Sequence, residues 1–151
     1  MRKKDIVGRG DLRLIAPSDA AGEPRLGLVL NVDVPLRFSE IALVHPYPEL
    51  ATSVDGVVPG VLPYDVVIQT DLRGVVWTSQ VSRLVGKLSP ETINEISDLV
   101  GLVDTGRPAS AFGIRRGIPL AGLHDRRWSF KADEGEALRM LTSDCTRALI
   151  R

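Results

Sequence analysis

The run Arg25-Leu26-Gly27-Leu28-Val29-Leu30-Asn31-Val32-Asp33 is opened by Pro24 and closed by Val34-Pro35. It is short, almost unbroken in its apolar character and rich in Val and Leu. Bounded by prolines at this length, it predicts a strand buried on both faces rather than a helix. Two similar runs follow, Ile41-Ala42-Leu43-Val44 and Val66-Val67-Ile68. Buried strands joined by turn-rich links predict a compact barrel or sandwich, and Arg25 brings a guanidinium to the mouth of the first strand.

Working outward, residues 4–15 predict two short strands around Gly8-Arg9-Gly10, and 16–24 a loop. A turn is expected at 34–39. Residues 45–65 hold prolines and glycines without periodicity and predict a long surface excursion. Strand 66–70 is followed by a turn at Arg73-Gly74, a strand at 75–77 and another at 81–88. Ser89-Pro90-Glu91 is a strong helix start, because the Ser89 hydroxyl can cap a free N–H and Pro90 lacks only a donor the first turn does not need. Ile93, Ile96, Leu99, Val100 and Val103 then recur at helical spacing, and the helix should end near Asp104-Thr105-Gly106. Beyond it, short strands are expected at 111–115 and 127–131. A last helix should be capped by Asp133 and Glu136, with Leu138, Leu141, Cys145, Ala148 and Leu149 as its stripe.

With 151 residues, 44% hydrophobic and 25% charged, the chain can build one ordinary core without metal or disulfide support. Its single cysteine, Cys145, has no internal partner, and no apolar run reaches the ~20 residues a bilayer requires. A soluble, cytoplasmic protein with no membrane association is expected. Lys plus Arg equal Asp plus Glu at 19 each, so the chain as a whole is no polycation. The charges are nevertheless segregated. Acids occupy 40–72 (Glu40, Glu49, Asp55, Asp65, Asp71) without a Lys or Arg, and bases crowd 107–131. Either stretch is an ordinary solvated surface or an acidic lip and a basic patch able to select partners by sign.

The two histidines and one cysteine stand at unrelated spacings, which predicts no metal site and no cofactor. Phosphate loops, dinucleotide glycine fingerprints and nucleophile elbows are absent from the sequence. The densest polar cluster is His124-Asp125-Arg126-Arg127-Trp128. Arg126, Arg127 and Trp128 could contact phosphate and stack a base, or form an exposed hairpin tip whose tryptophan packs inward.

Several phrases resemble the MazF/PemK toxin family, whose fold is the SH3-like barrel of the CcdB/PemK type. Lys4-Asp5-Ile6-Val7 is similar to its opening strand and the 24–33 run to its Arg-Pro-Val-Leu-Val-Ile-Gln-Asn-Asp strand. Ile41-Ala42-Leu43-Val44-His45-Pro46 is similar to its Val-Ile-Val-Ala-Pro strand end. Val66-Val67-Ile68-Gln69-Thr70-Asp71 matches the strand leading to its aspartate. The most specific match is Arg83-Leu84-Val85-Gly86-Lys87-Leu88-Ser89-Pro90-Glu91, similar to its Arg-Leu-Gly-X-Leu-Ser-X-Glu run before a helix. The resemblance covers about residues 3–103.

It implies a small SH3-like barrel domain over 1–105 with a packed helix. Residues 104–151 have no counterpart in the family, and their own pattern predicts a C-terminal hairpin-plus-helix extension over 106–151 packed on the barrel, in an α+β, mainly β chain. The resemblance also implies a homodimer, an antitoxin partner, and metal-independent cleavage of single-stranded RNA in which the 2′-hydroxyl attacks the neighbouring phosphate. Arg25 falls on the family's arginine and Asp71 on an aspartate used by part of the family. The family's threonine does not carry over, since that strand end reads His45-Pro46-Tyr47-Pro48. His45 is the candidate replacement, because an imidazole shuttles protons near neutral pH. Tyr47 and Arg73, with the 126–128 cluster, are candidate binding residues. The alternative is a catalytically degenerate member of the fold that inhibits a host protein by binding, through the acidic stretch at 45–65.

Overall fold

The computed structural model describes residues 6–18, 22–106 and 114–150. Seven antiparallel strands form one sheet, and two helices cover its two faces. The strands are β1 (Asp11–Ile15), β2 (Arg25–Asp33), β3 (Phe38–His45), β4 (Asp55–Val58), β5 (Val66–Trp77), β6 (Val81–Lys87) and β7 (Arg115–Arg116). The helices are α1 (Pro90–Thr105) and α2 (Arg127–Ile150). The spatial order is β6-β1-β2-β3-β5-β4-β7, a mainly β arrangement in agreement with the SH3-like architecture expected.

The opening run occupies β2 from its first residue to its last. Its apolar continuity has a direct cause: successive side chains point to opposite faces, and both faces are packed. Leu28 joins Leu12, Ala42, Val44 and Ile68 in a cluster completed by Ile93 and Ile96 of α1. Val29 points the other way, into Ile15, Ile41, Leu43 and Val76, a cluster completed by Leu141 of α2. Helix α1 begins as its residues dictate. The Ser89 hydroxyl accepts from the Thr92 backbone N–H at 3.2 Å, and Gly106 ends the helix at φ 65°, a left-handed conformation glycine adopts without strain.

Several local expectations are corrected. Residues 6–8 form no strand, while 4 and 5 lie outside the described residues, so only β1 follows Gly8-Arg9-Gly10. The 45–65 excursion contains a 3₁₀ turn at Pro48–Leu50 and the wholly buried β4. Arg73-Gly74 is no turn but the middle of the continuous β5, and the glycine is there because α2 crosses it. A Cβ on Gly74 would stand 2.7 Å from the Thr142 Cγ2. The strand expected at 127–131 is the first turn of α2, which starts well before Asp133. Asp125 caps it instead, its Oδ1 accepting from the Arg127 backbone N–H at 3.0 Å. No hairpin precedes it among the described residues. Residues 111–113 lie outside them, and Arg115–Arg116 pair with β4 as its outer neighbour. On α2, Leu138, Leu141 and Cys145 do pack inward, but Ala148 and Leu149 are exposed.

Candidate functional site

One end of the α2-covered face is polar. Residues 67, 69 and 71 of β5 share a face by strand alternation, and β3 pairs His45 with Val67. The β2–β3 register, Gly27 opposite Leu43, carried two residues further sets Arg25 across from His45. On the far side Asp55 of β4 pairs with Gln69. Arg25, His45, Gln69, Asp71 and Asp55 thus come from four adjacent strands onto one surface, and the first turns of α2 lie over it.

Helical spacing brings Arg127, Phe130, Lys131 and Glu134 to that surface. The Arg25 guanidinium forms an ion pair with the nearly fully buried Glu134 carboxylate. The other Glu134 oxygen accepts from the Gln69 amide Nε2 at 2.9 Å. Lys131 Nζ donates to Asp55 Oδ1 at 2.7 Å and to Asp71 Oδ1 at 2.8 Å. Asp55 has no exposed surface; burial raises its carboxyl above the ordinary range, against the pull of the Lys131 ammonium. The Thr52 backbone N–H and hydroxyl also donate to it, at 2.8 and 3.2 Å. Asp55 is therefore an internal counter-ion, and the idea of an exposed acidic lip at 45–65 fails at this residue.

His45 is enclosed between rings. Its centroid lies 5.8 Å from that of Tyr47, stacked, and 4.7 Å from that of Phe130, edge to face. The Tyr47 backbone N–H donates to Nδ1 at 3.1 Å, which puts the ring proton on Nε2. Nε2 is buried and has no hydrogen-bond partner among the described residues, and neither has Gln69 Oε1. Burial, with the positive charges of Lys131 and then Arg25, lowers the His45 pKa from 6.5 to about 4. The imidazole is thus neutral at pH 7, and the folded state disfavours its charged form. That component of stability is complete above pH 6.5 and is lost as pH falls toward 4, by on the order of 3 kcal/mol. Denaturant titrations at several pH values should show the wild type weakening through this window and His45→Phe weakening less. Parallel curves for the two chains would refute the assignment.

The structure brings Arg25, His45, Tyr47 and Asp71 together and disperses the other candidates. Arg73 reaches the Asp104 carboxylate on α1 and donates through Nε to the Thr70 carbonyl at 2.7 Å. Arg127 is buried and serves as an internal tie, correcting its place in a nucleic-acid patch. Arg126 is exposed, and Trp128, half exposed, donates its Nε1–H to the Ala121 carbonyl at 3.2 Å. Sequence reasoning missed Asp55, Gln69, Phe130, Lys131 and Glu134. The detectable signal was the stripe 127, 130, 131, 134, 138, 141, 145, which is helical from its first member. Among the described residues no group of three His, Cys, Asp or Glu side chains could hold a metal ion, and no helix is long and apolar enough to cross a membrane.

No protein-family model and no curated protein matches the chain. Solved structures do. An endoribonuclease from a mycobacterial species, in complex with its cognate antitoxin, is 12% identical with a TM-score of 0.53, covering 68% of this chain and 97% of that one. MazF from Deinococcus radiodurans is 17% identical with a TM-score of 0.52, covering 68% and 99%. A MazF toxin of Mycobacterium tuberculosis is 14% identical with a TM-score of 0.51, covering 66% and 99%. Each neighbour is matched over nearly its whole length, while about a third of this chain has no counterpart in it. At such identities the likeness speaks for architecture, and the architecture of this chain is the MazF/PemK-like fold.

Proposed function

We propose that the chain is a MazF-type toxin that cleaves single-stranded RNA without a metal ion. The observation that carries this reading is the placement of Arg25, at the mouth of β2 and across from His45, on the fold shared with endoribonuclease toxins. In the reaction the 2′-oxygen bonds to the adjacent phosphorus and the P–O5′ bond breaks, leaving a 2′,3′-cyclic phosphate and a 5′-oxygen that takes a proton from water to become the 5′-hydroxyl. The Arg25 fork meets a non-bridging oxygen and stabilises the charge that grows there. His45 is neutral, so it acts through its Nε2–H as a hydrogen-bond donor to the same phosphate rather than as a proton shuttle. Asp71 is the exposed carboxylate of the groove and takes the 2′-hydroxyl proton once Lys131 releases it.

An antitoxin chain, a second copy of this chain and a cytoplasmic setting belong to the same reading. Ile118, Leu123 and Met140 are apolar and exposed, as a surface used for assembly would be. The test is cleavage of a mixed-sequence single-stranded RNA in EDTA, by the wild type and by Glu134→Gln, which frees Arg25. Products ending in 2′,3′-cyclic phosphate are expected. Intact RNA with both folded proteins would overturn the nuclease reading and favour inhibition of a protein by binding.

A further inference from the structure

The groove that would hold RNA is already occupied, and the occupant is part of the chain. Glu134 offers Arg25 two planar, negatively charged oxygens, the geometry a guanidinium also seeks in a phosphate. Gln69 completes the cradle from the strand side. Lys131 neutralises Asp71 and Asp55, and Phe130 stands on His45. Beneath this cover His45 Nε2, on a side chain 3% exposed, is a donor without an acceptor among the described residues. A buried unmet donor is destabilising, because it has given up water without gaining a partner. A core built for stability alone would not keep one there, whereas a site for an oxygen-rich ligand would.

The covering segment differs from the rest of its helix. Beyond it Leu141 and Cys145 are buried, and the Leu141 carbonyl accepts from Gln80 Nε2 at 3.0 Å, so this half is fixed to the sheet. Between the two halves stands Gly135. A Cβ there would meet nothing nearer than Leu72 Cδ2 at 3.9 Å, so close packing does not require the glycine. Glycine inside a helix is destabilising relative to alanine, because its backbone loses the most freedom on ordering, which makes this the weakest joint of α2. At the outer end Arg127 ties the segment to the Ala51, Ile118 and Pro119 carbonyls.

We propose that residues 127–134 of α2 are an intramolecular latch on the RNA groove, with Glu134 standing in for a phosphate on Arg25, hinged at Gly135 and fastened by Arg127. The inference rests on the nuclease reading of the groove and adds its regulation: the chain is latent at rest, and RNA competes with its own helix. A segment tethered next to its site acts at a high effective concentration, so modest contacts suffice to keep it closed.

The experiment measures binding of a fluorescent mixed-sequence single-stranded RNA by anisotropy, and its cleavage in EDTA, for the full-length wild type, Glu134→Gln and Gly135→Ala. Removing the carboxylate charge should tighten binding and speed cleavage by about tenfold or more. Stiffening the hinge with alanine should weaken both severalfold below wild type. If Glu134→Gln fails to fold, Phe130→Ala carries the test with the same expectation. Folded Glu134→Gln and Phe130→Ala chains that bind RNA no better than wild type would overturn the latch. Wild-type cleavage as fast as that of Glu134→Gln would also overturn it, while upholding the nuclease. Tighter binding without cleavage would uphold the latch and overturn the nuclease.

Discussion

Replacing Arg25 by alanine in the Glu134→Gln background should slow RNA cleavage by a factor on the order of 10²–10³ with little change in stability. The background matters. In the wild type, Arg25→Ala would leave the buried Glu134 carboxylate without its cation, and the cost of that stranded charge would be mixed with the loss of chemistry. With glutamine at 134 the groove holds no such charge, and Arg25, whose side chain is 37% exposed, leaves only a contact to solvent or RNA behind. The expected loss follows from timing. Negative charge on the non-bridging oxygens is greatest in the transition state, so a preorganised guanidinium acts on kcat more than on KM. Arg25→Lys should restore part of the rate, because an ammonium supplies charge without the two-pronged contact. Single-turnover cleavage rates for the three chains, with melting curves alongside, decide the matter. Arg25→Ala within about threefold of its parent would remove Arg25 from the reaction.

What could be read in advance, and what could not, divides by the range of the interactions involved. Strand β2 and helix α1 were legible because their signals are local: an apolar run between prolines, a serine cap, and a glycine stop. Asp55–Val58 was not, since its four residues carry an acid and a glycine and become a strand only by pairing with β5 and hiding Asp55 against Lys131. Gly74 misled for a similar reason. Glycine after arginine looks like a turn, but its purpose is room for Thr142 on a helix far along the chain. At the site, Arg25 and His45 could be placed from the motif around them. Their partners could not, because Arg127-Trp128-Ser129-Phe130-Lys131 alternates enough to resemble a strand. Its helical stripe becomes visible only when extended to Glu134, Leu138 and Leu141. The register that brings Glu134 onto Arg25 is set by how that stripe seats on Gly74 and Leu43, which no local pattern encodes.

Arg127→Ala should be the most damaging substitution in the C-terminal third, lowering stability by about 2–4 kcal/mol. Its guanidinium donates to three backbone carbonyls, at Ala51 (2.8 Å), Ile118 (2.9 Å) and Pro119 (2.9 Å). It also donates to both oxygens of Asp125, and that contact, foremost, holds the Asp125 carboxyl well below the usual carboxylate range. The same side chain therefore joins the 46–54 loop, the 117–125 loop and the start of α2. Lysine cannot replace it, because one ammonium cannot span carbonyls lying in three directions together with a carboxylate. For a chain of 151 residues, 1 kcal/mol corresponds to roughly 2–4 °C, so Tm should drop by about 4–16 °C for Arg127→Ala and nearly as far for Arg127→Lys. The loss should not be confined to stability. Arg127 fastens the latch, so at a temperature where the variant is still folded it should bind single-stranded RNA more tightly than wild type despite having lost a positive charge. A simple RNA-contact arginine predicts the reverse, weaker binding with an unchanged Tm, and that pair of results would return Arg127 to the nucleic-acid surface.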